Sequence, residues 1–200
     1  MLDSLLPIAL AAAVVAGNAA VGAASAATRA VRNIVLVRDV ATDGSAWRGV
    51  YDILTRDGYH VSVVQEPLTG LSDDVAATRR VLDQQDGPVI LVGHSYGGTI
   101  ITVAGVDPKV RALVYVAGLR PDVGETTNQL AASMPGEVPD SDLKLSKDRF
   151  INPALARWMY RRSGAKITEI KANHLVDISR PGAVASVIER AARSAGADPR

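Results

Sequence analysis

The chain contains no cysteine, few aromatic residues and almost no net charge, and each absence removes a class of function. Without cysteine, its 200 residues can form no disulfide, no thiol nucleophile and no cysteine-ligated zinc site. Aromatic residues make up only 4% of the sequence, and the formal net charge is +1 with the two signs interspersed. The chain therefore lacks the basic surface typical of nucleic-acid-binding proteins, and nothing indicates attraction to an anionic membrane.

The N-terminal residues differ in composition from the rest of the chain. Leu5 to Val15 is apolar and Ala24-Ser25-Ala26 has the A-x-A form of a cleavage site, as in a secretory signal. However, Met1 to Ser4 has no Lys or Arg, whereas export signals begin with a positive region. The stretch is mostly alanine and interrupted by Pro7, so we expect no stable membrane span.

We expect residues 1–27 to be a signal peptide or a disordered N-terminal segment. A cleaved signal would make the protein periplasmic or secreted. The alternative is an uncleaved tail or a misassigned start, and then a cytoplasmic protein.

Residues 32–197 alternate between apolar runs and helical patterns, and the chain is long enough for one domain with a core. The runs that predict strands are Asn33–Val37, His60–Gln65, Val89–Val92, Val110–Ala117 and Lys166–Lys171, with Asp142–Ser146 as a weaker one. Strands that alternate with helices form a parallel sheet covered on both faces. We therefore predict an α/β fold with a mostly parallel, doubly wound sheet of five to six strands.

The stretch Gly93-His94-Ser95-Tyr96-Gly97 has the G-x-S-x-G form. It follows the apolar run Val89–Val92 and precedes a second apolar segment that begins at Thr99. A serine on a sharp strand-to-helix turn needs flanking glycines so that the strand and helix can approach without a clash. The pattern predicts Ser95 as an exposed nucleophile.

A serine hydroxyl needs a base within hydrogen-bond reach, and the chain has three histidines. His60 begins a predicted strand, where a solvated or core role is expected, and His94 is the variable position of the motif and points away from Ser95. His174 follows the last predicted strand, at the end of a parallel sheet where sites collect. We predict His174 as the base.

The base in turn needs an orienting acid, which in this architecture lies between the serine and the histidine in the chain. Asp148 precedes a helix that begins at Pro153, and Asp122 follows the fourth predicted strand. Both fit this order, so the residues themselves leave both open.

These patterns resemble the single-domain α/β-hydrolases related to small esterases, whose cousins include cofactor-free haloperoxidase-like and hydroxynitrile-lyase-like enzymes. The resemblance runs from Asn33 to Gly196 and is dense in Asp43–Trp47, Leu71–Arg79, Val92–Gly98, Val110–Ala117, Asp148–Ala165 and His174–Pro181. It implies an α/β-hydrolase fold with the triad Ser95, Asp148 and His174. It further implies the backbone N–H groups of Tyr96 and Val40 as the oxyanion hole, a small-molecule substrate, and no metal or organic cofactor.

The chain departs from the family pattern at two places. The family has His-Gly after its first strand, where this chain has Arg38-Asp39. A side chain there restricts the turn of the loop, and a carboxylate opposes negative charge in the transition state unless Arg38 neutralises it. The 29 residues from 119 to 147 are also short for the helical cap of the relatives, so we expect the cap to be largely absent.

The expected function is a serine hydrolase that acts on a carboxylic ester or a similar small acyl substrate through an acyl-enzyme. The alternative is a catalytically impaired, capless paralogue that binds a small molecule or has no activity. A third reading keeps the triad for lyase or perhydrolase chemistry, because a fold does not fix a function.

Overall fold

The computed structural model describes residues 31–133 and 150–197, and its centre is a four-stranded sheet. The strands are β1 (Asn33–Val37), β2 (His60–Val63), β3 (Val89–His94) and β4 (Val110–Val116), all parallel and in the order β2-β1-β3-β4. Every residue of the two central strands, β1 and β3, is buried. This explains why these strands are continuously apolar in sequence, since a parallel sheet is covered on both faces.

Helices cover the sheet in two layers. On one face α1 (Arg48–Arg56) lies beside α7 (Pro181–Ala197), and Leu54 and Ile188 pack with Leu36 of β1. On the other face α2 (Leu71–Asp83) lies beside α3 (Tyr96–Ala104), and their apolar side chains pack against Val35 and Leu91. Alternate strand residues thus supply two separate cores, which confirms the predicted doubly wound architecture.

The remaining helices lie along the edge of the sheet where the strands end. A 3₁₀ helix (Gly44–Trp47) precedes α1, and the others are α4 (Thr127–Ser133), α5 (Pro153–Arg162) and α6 (Val176–Ser179). A third, small core joins α4 and α5 through Leu130, Leu155 and Met159. The hydroxyl of Tyr160 binds both backbone groups of Gly118 (3.0 and 2.7 Å), which fastens α5 to the end of β4.

The predicted strand Lys166–Lys171 is wrong, and the described residues hold four strands where five to six were expected. This segment forms no ladder with β4, because a groove lined by side chains of β4, α5 and α7 separates the two. Residues 166–170 all border this groove, and among residues 166–171 only Ile170 is partly buried, so the polar and apolar alternation of the sequence does not correspond to a buried side.

Two further predictions fall on residues that the structure does not describe. They are the strand Asp142–Ser146 and the N-terminal segment 1–27. Among residues 31–133 and 150–197, no helix has the length and apolar character needed to cross a bilayer.

Candidate active site

Ser95 lies on the turn between β3 and α3, in a backbone conformation that side chains rarely adopt. Its φ is 52° and its ψ is −118°, while the strand ends at His94 and the helix begins at Tyr96. Backbone bonds on both sides hold the turn, since Ser95 N donates to Val116 O (3.2 Å) and Leu119 N donates to Ser95 O (3.0 Å). A strained serine fixed by its surroundings is the geometry of a nucleophile elbow.

The glycines of the motif are required by close backbone approach. A Cβ on Gly97 would lie 2.6 Å from Arg38 O and 2.7 Å from Val37 O, and one on Gly93 would overlap the carbonyl of Gly97. Real Cβ atoms essentially never come so near. The elbow therefore packs directly on the loop that follows β1, which brings that loop beside Ser95.

His174 lies just before α6 and reaches the serine. Its Nε2 is 2.8 Å from Ser95 Oγ, and the residue is only 6% exposed. The structure thus brings together two of the predicted site residues, 79 positions apart in the chain. An imidazole at this distance can take the hydroxyl proton as the serine attacks.

Two buried residues for which the sequence predicted no contact with His174 lie beside it. His94 Nε2 is 2.9 Å from the backbone O of His174, and the two rings are 4.9 Å apart. His94 Nδ1 is in turn 3.6 Å from Asp39 Oδ2. Their positions in the sequence could have indicated this contact, because Asp39 follows β1 and His94 ends β3, so both lie at the same edge of the parallel sheet.

Comparison with known proteins identifies the family. Residues 35–145, more than half of the chain, match the model of the alpha/beta hydrolase family. The chain belongs to this family. The recognition of an α/β-hydrolase in the sequence is thereby confirmed.

Among the relatives of this alpha/beta hydrolase is a carbendazim hydrolyzing esterase from Nocardioides sp. (strain SG-4G), 45% identical over 53 residues. The match covers 26% of this chain and 21% of the esterase, so it spans about a fifth of that relative.

Solved structures support the fold of this alpha/beta hydrolase. A pyrethroid hydrolase superposes with a TM-score of 0.68 at 18% identity, covering 82% of this chain and 98% of its own. Polyneuridine aldehyde esterase gives 0.66 at 16% identity, covering 79% and 98%. At these identities the similarity establishes the α/β-hydrolase fold.

The two acid candidates of this alpha/beta hydrolase differ in position. Asp148 lies outside the described residues, but Phe150 stacks on the ring of His174 at 5.0 Å, so the chain passes the histidine two positions after Asp148. Asp122 is exposed in the turn before α4, where its Oδ1 accepts a hydrogen bond from Val123 N (2.8 Å). Among the described contacts, none joins Asp122 to the histidine.

The predicted oxyanion donors lie at the elbow and in the loop after β1. Tyr96 is the first residue of α3, where backbone N–H groups have no partner within the helix and point toward an incoming anion. Val40 is 58% exposed in the loop. Both positions are compatible with N–H groups that face a substrate bound at Ser95.

The conformation of this loop depends on Arg38 and Asp39, the residues that depart from the family pattern. The guanidinium of Arg38 donates to the carbonyls of Asp39 (3.0 Å), Thr42 (2.6 Å) and Glu66 (2.8 Å). Asp39 Oδ1 accepts from Ala41 N (2.9 Å), and from Thr42 N and Thr42 Oγ1 (both 2.7 Å). Hydrogen bonds of these two side chains therefore hold the loop at the position where the family pattern has glycine.

The sequence offered Arg38 as the residue that could neutralise Asp39, but the charge of Asp39 is compensated by other neighbours. Arg38 reaches only the backbone of Asp39 and directs its Nε to Glu66 Oε2 (3.1 Å). Burial opposes ionisation of Asp39, but the hydrogen bonds from Thr42 and Ala41 and the nearby His94 together hold its pKa below 3.8. Asp39 thus remains a buried carboxylate.

Two further carboxyl groups, those of Glu66 and Asp74, are buried near the loop. Burial raises the pKa of Glu66 to about 7, against the opposing effect of Arg38. Asp74 accepts from Leu68 N (2.8 Å) and from the hydroxyl of Tyr96 (3.0 Å). Burial and this hydrogen bond raise the pKa of Tyr96 to about 12, so its hydroxyl stays protonated at neutral pH. Arg38 thus links the loop that contains Val40 to Glu66, and the Tyr96 hydroxyl links the start of α3 to Asp74.

The raised pKa of Glu66 predicts a loss of stability as pH rises. The pKa of Glu66 is about 7 in the folded state and 4.5 in the unfolded state, so the folded state holds the proton more tightly. The resulting stabilisation, on the order of 3 kcal/mol, is complete below pH 4.5 and is lost as pH rises through 7. Thermal unfolding from pH 5 to 8 should show this decline in wild type and a shallower one in Glu66→Gln. Equal pH slopes for the two proteins would contradict it.

Proposed function

We propose that this alpha/beta hydrolase is a serine hydrolase that cleaves a carboxylic ester or a similar small acyl substrate. The observation that carries the proposal is the 2.8 Å distance between Ser95 Oγ and His174 Nε2, with Ser95 held at a φ of 52° on the elbow. The family match and the relatives named as hydrolases and esterases support a hydrolytic enzyme.

In the proposed reaction, Ser95 Oγ attacks the substrate carbonyl while His174 Nε2 takes the hydroxyl proton. The oxyanion that forms accepts hydrogen bonds from the backbone N–H groups of Tyr96 and Val40. His174 then gives the proton to the leaving alcohol, and the acyl group remains on Ser95. Water attacks this ester with His174 as the base, which releases the acid and restores the serine. Asp148 is proposed to orient the imidazole and to stabilise its charged form.

A cavity of about 680 Å³ adjoins the loop after β1 and includes Val40, one of the proposed oxyanion positions, whereas Ser95 and His174 are not among its lining residues. Its walls include the apolar side chains of Val40, Leu68 and Ile178, and Arg48 lies at its rim. Val40 and Ile178 are 58% and 51% exposed, so the cavity is an open groove. The groove has both polar and apolar walls, and we propose that it receives the part of a short substrate that extends past Val40.

The alternative, an impaired paralogue that only binds a small molecule, is favoured by Asp39. This carboxylate is 2% exposed and has an oxygen within 4.8 Å of a His174 ring nitrogen. A buried negative charge near the oxyanion position opposes the charge that develops in the transition state. This alternative predicts folded protein without turnover.

Hydrolysis of p-nitrophenyl acetate by wild type and by Ser95→Ala separates the two functions. A serine hydrolase should show a burst of one p-nitrophenolate per chain followed by steady turnover. Ser95→Ala should lose the burst and at least about 10⁴-fold of the steady rate, because the covalent step needs the hydroxyl. Equal rates for the two proteins would leave the impaired paralogue as the better account.

A further inference from the structure

Asp39, His94 and His174 form a buried cluster of metal-ligating side chains beside the nucleophile. Each offers one donor atom, and the three donor atoms lie within 4.8 Å of one another. The residues are 2%, 1% and 6% exposed, respectively. One carboxylate and two imidazoles are ligands that divalent transition metals favour.

The protons of His94 leave an unfavourable contact inside this cluster. The backbone O of His174 can only accept, so His94 Nε2 at 2.9 Å must carry the hydrogen. In the neutral ring, Nδ1 is then a lone pair, and it faces Asp39 Oδ2 at 3.6 Å. Nδ1 has no hydrogen-bond partner among the described residues. Two electron-rich atoms that face each other in a buried site are stabilised by a cation between them, which is either a proton on Nδ1 or a metal ion.

The spacing of His94 Nδ1 and Asp39 Oδ2 fits two ligands of one metal ion. A direct N–H···O hydrogen bond would bring them to about 2.9 Å, and they are 3.6 Å apart. Two ligands that each lie about 2.0 to 2.1 Å from one Zn²⁺ are separated by about 3.3 to 3.6 Å at tetrahedral to trigonal angles.

Asp39 is also oriented as a metal ligand would be. Its Oδ1 accepts three hydrogen bonds, from Ala41 N and from both Thr42 N and Thr42 Oγ1. These bonds fix the carboxylate and leave Oδ2 directed at His94. Hydrogen bonds that hold a ligand from outside the coordination sphere are typical of metal sites in proteins.

We propose that Asp39 Oδ2, His94 Nδ1 and a ring nitrogen of His174 bind one divalent transition metal ion of the Zn²⁺ type. Metal binding competes with catalysis, because a neutral imidazole has a single lone pair. A His174 ring that has given this lone pair to the metal cannot accept the proton of Ser95. The ion therefore acts as a reversible inhibitor. This inhibition rests on the proposed serine hydrolase function, whereas the binding itself does not.

The binding test uses the full chain without a histidine tag, in metal-free buffer. Titration with Co²⁺ should saturate at one ion per chain with the visible absorption of a low-coordinate nitrogen and oxygen site, and Zn²⁺ should displace it. Calorimetry with Zn²⁺ then gives the affinity. Zn²⁺ should also raise the unfolding temperature, since a ligand of the folded state stabilises it.

Two variants and one control define the ligands. Asp39→Asn keeps an Oδ1 for the three loop hydrogen bonds and places an amide NH₂ opposite His94 Nδ1, so the loop is retained while the ligand is lost. We expect at least tenfold weaker Zn²⁺ binding in Asp39→Asn and in His94→Gln. His60→Gln, at an exposed position at the start of β2, should bind like wild type. Circular dichroism establishes that each variant is folded.

Each outcome decides the proposal. If His94 is instead an imidazolium between Asp39 and Asp177, whose Oδ1 is 3.9 Å from His94 Nε2, no 1:1 binding will occur and the proposal is overturned. Binding that is unchanged in Asp39→Asn and His94→Gln would overturn it equally.

The activity test measures ester hydrolysis with and without the metal. Zn²⁺ should inhibit hydrolysis with the Kd measured by calorimetry, and EDTA should reverse this inhibition. Absence of hydrolysis in metal-free protein would count against the hydrolase alone, because the Co²⁺ spectrum still tests the site.

Discussion

Replacing His174 by glutamine is expected to lower kcat for a short p-nitrophenyl ester by about 10⁴-fold or more. Glutamine can donate or accept a hydrogen bond but cannot take the proton of Ser95, which we propose passes to His174 Nε2 at 2.8 Å. In serine hydrolases, loss of the base costs nearly as much as loss of the nucleophile, because the two act as one unit. KM should change far less, since His174 contributes mainly to the transition state.

His60→Gln is the matched control for this change. It replaces the same residue type by the same amide at the exposed start of β2, far in the sheet order from β4. Its kcat should stay within about twofold of wild type, since exposed substitutions of this kind have small effects. A kcat for His174→Gln within tenfold of wild type would show that His174 is not the base.

The second large effect concerns the acid. Asp148→Asn is expected to lower kcat by roughly 10⁴-fold, because an amide cannot stabilise the imidazolium and favours the wrong tautomer of His174. Asp122→Asn should have little effect, since Asp122 is exposed and caps its own turn through Val123 N. Steady-state kinetics of the two variants on one ester give the comparison.

The opposite order of effects would assign the acid to Asp122. Similar small effects from both would mean that His174 works without either carboxylate, and Asp39, which has an oxygen within 4.8 Å of a His174 ring nitrogen, would then be the next candidate. The change of the rate with pH distinguishes these cases, because loss of the orienting acid shifts the ionisation of the base as well as kcat.

The sequence predicted the centre of the fold because that part is determined locally. Strands β1 and β3 are buried on both faces, so their apolar runs are unbroken and bounded by turn residues. The elbow could also be predicted, since Gly97 and Gly93 stand where any Cβ would overlap backbone. His174, which lies 2.8 Å from Ser95 Oγ, was predicted by elimination among three histidines and by its place after the predicted strand Lys166–Lys171, although the structure has no strand there.

The edge of the sheet could not be predicted in the same way. Lys166 to Lys171 alternates like a strand, yet a strand requires a neighbour, and the groove beside β4 keeps this segment apart from the described sheet. An alternating pattern in the sequence is compatible with a strand, but it does not determine whether the backbone has a neighbouring strand to pair with.

The contacts of Asp39 could not be predicted from the sequence either. The departure at Arg38-Asp39 was visible, but the partners of the two side chains are 28 and 55 positions further along, at Glu66 and His94. Only the packing of the loop on the elbow brings them together. The same packing brings Asp39 beside His94 and His174, where we propose a metal site.

The central claim is that Ser95 is an activated nucleophile, and covalent labelling with a fluorophosphonate followed by peptide mass spectrometry tests it most directly. We predict a single phosphonate adduct on Ser95 of the folded wild type, no adduct in Ser95→Ala or heat-denatured protein, and much slower labelling in His174→Gln. A wild-type protein that is folded and unlabelled, or an adduct that persists in Ser95→Ala, would contradict the account.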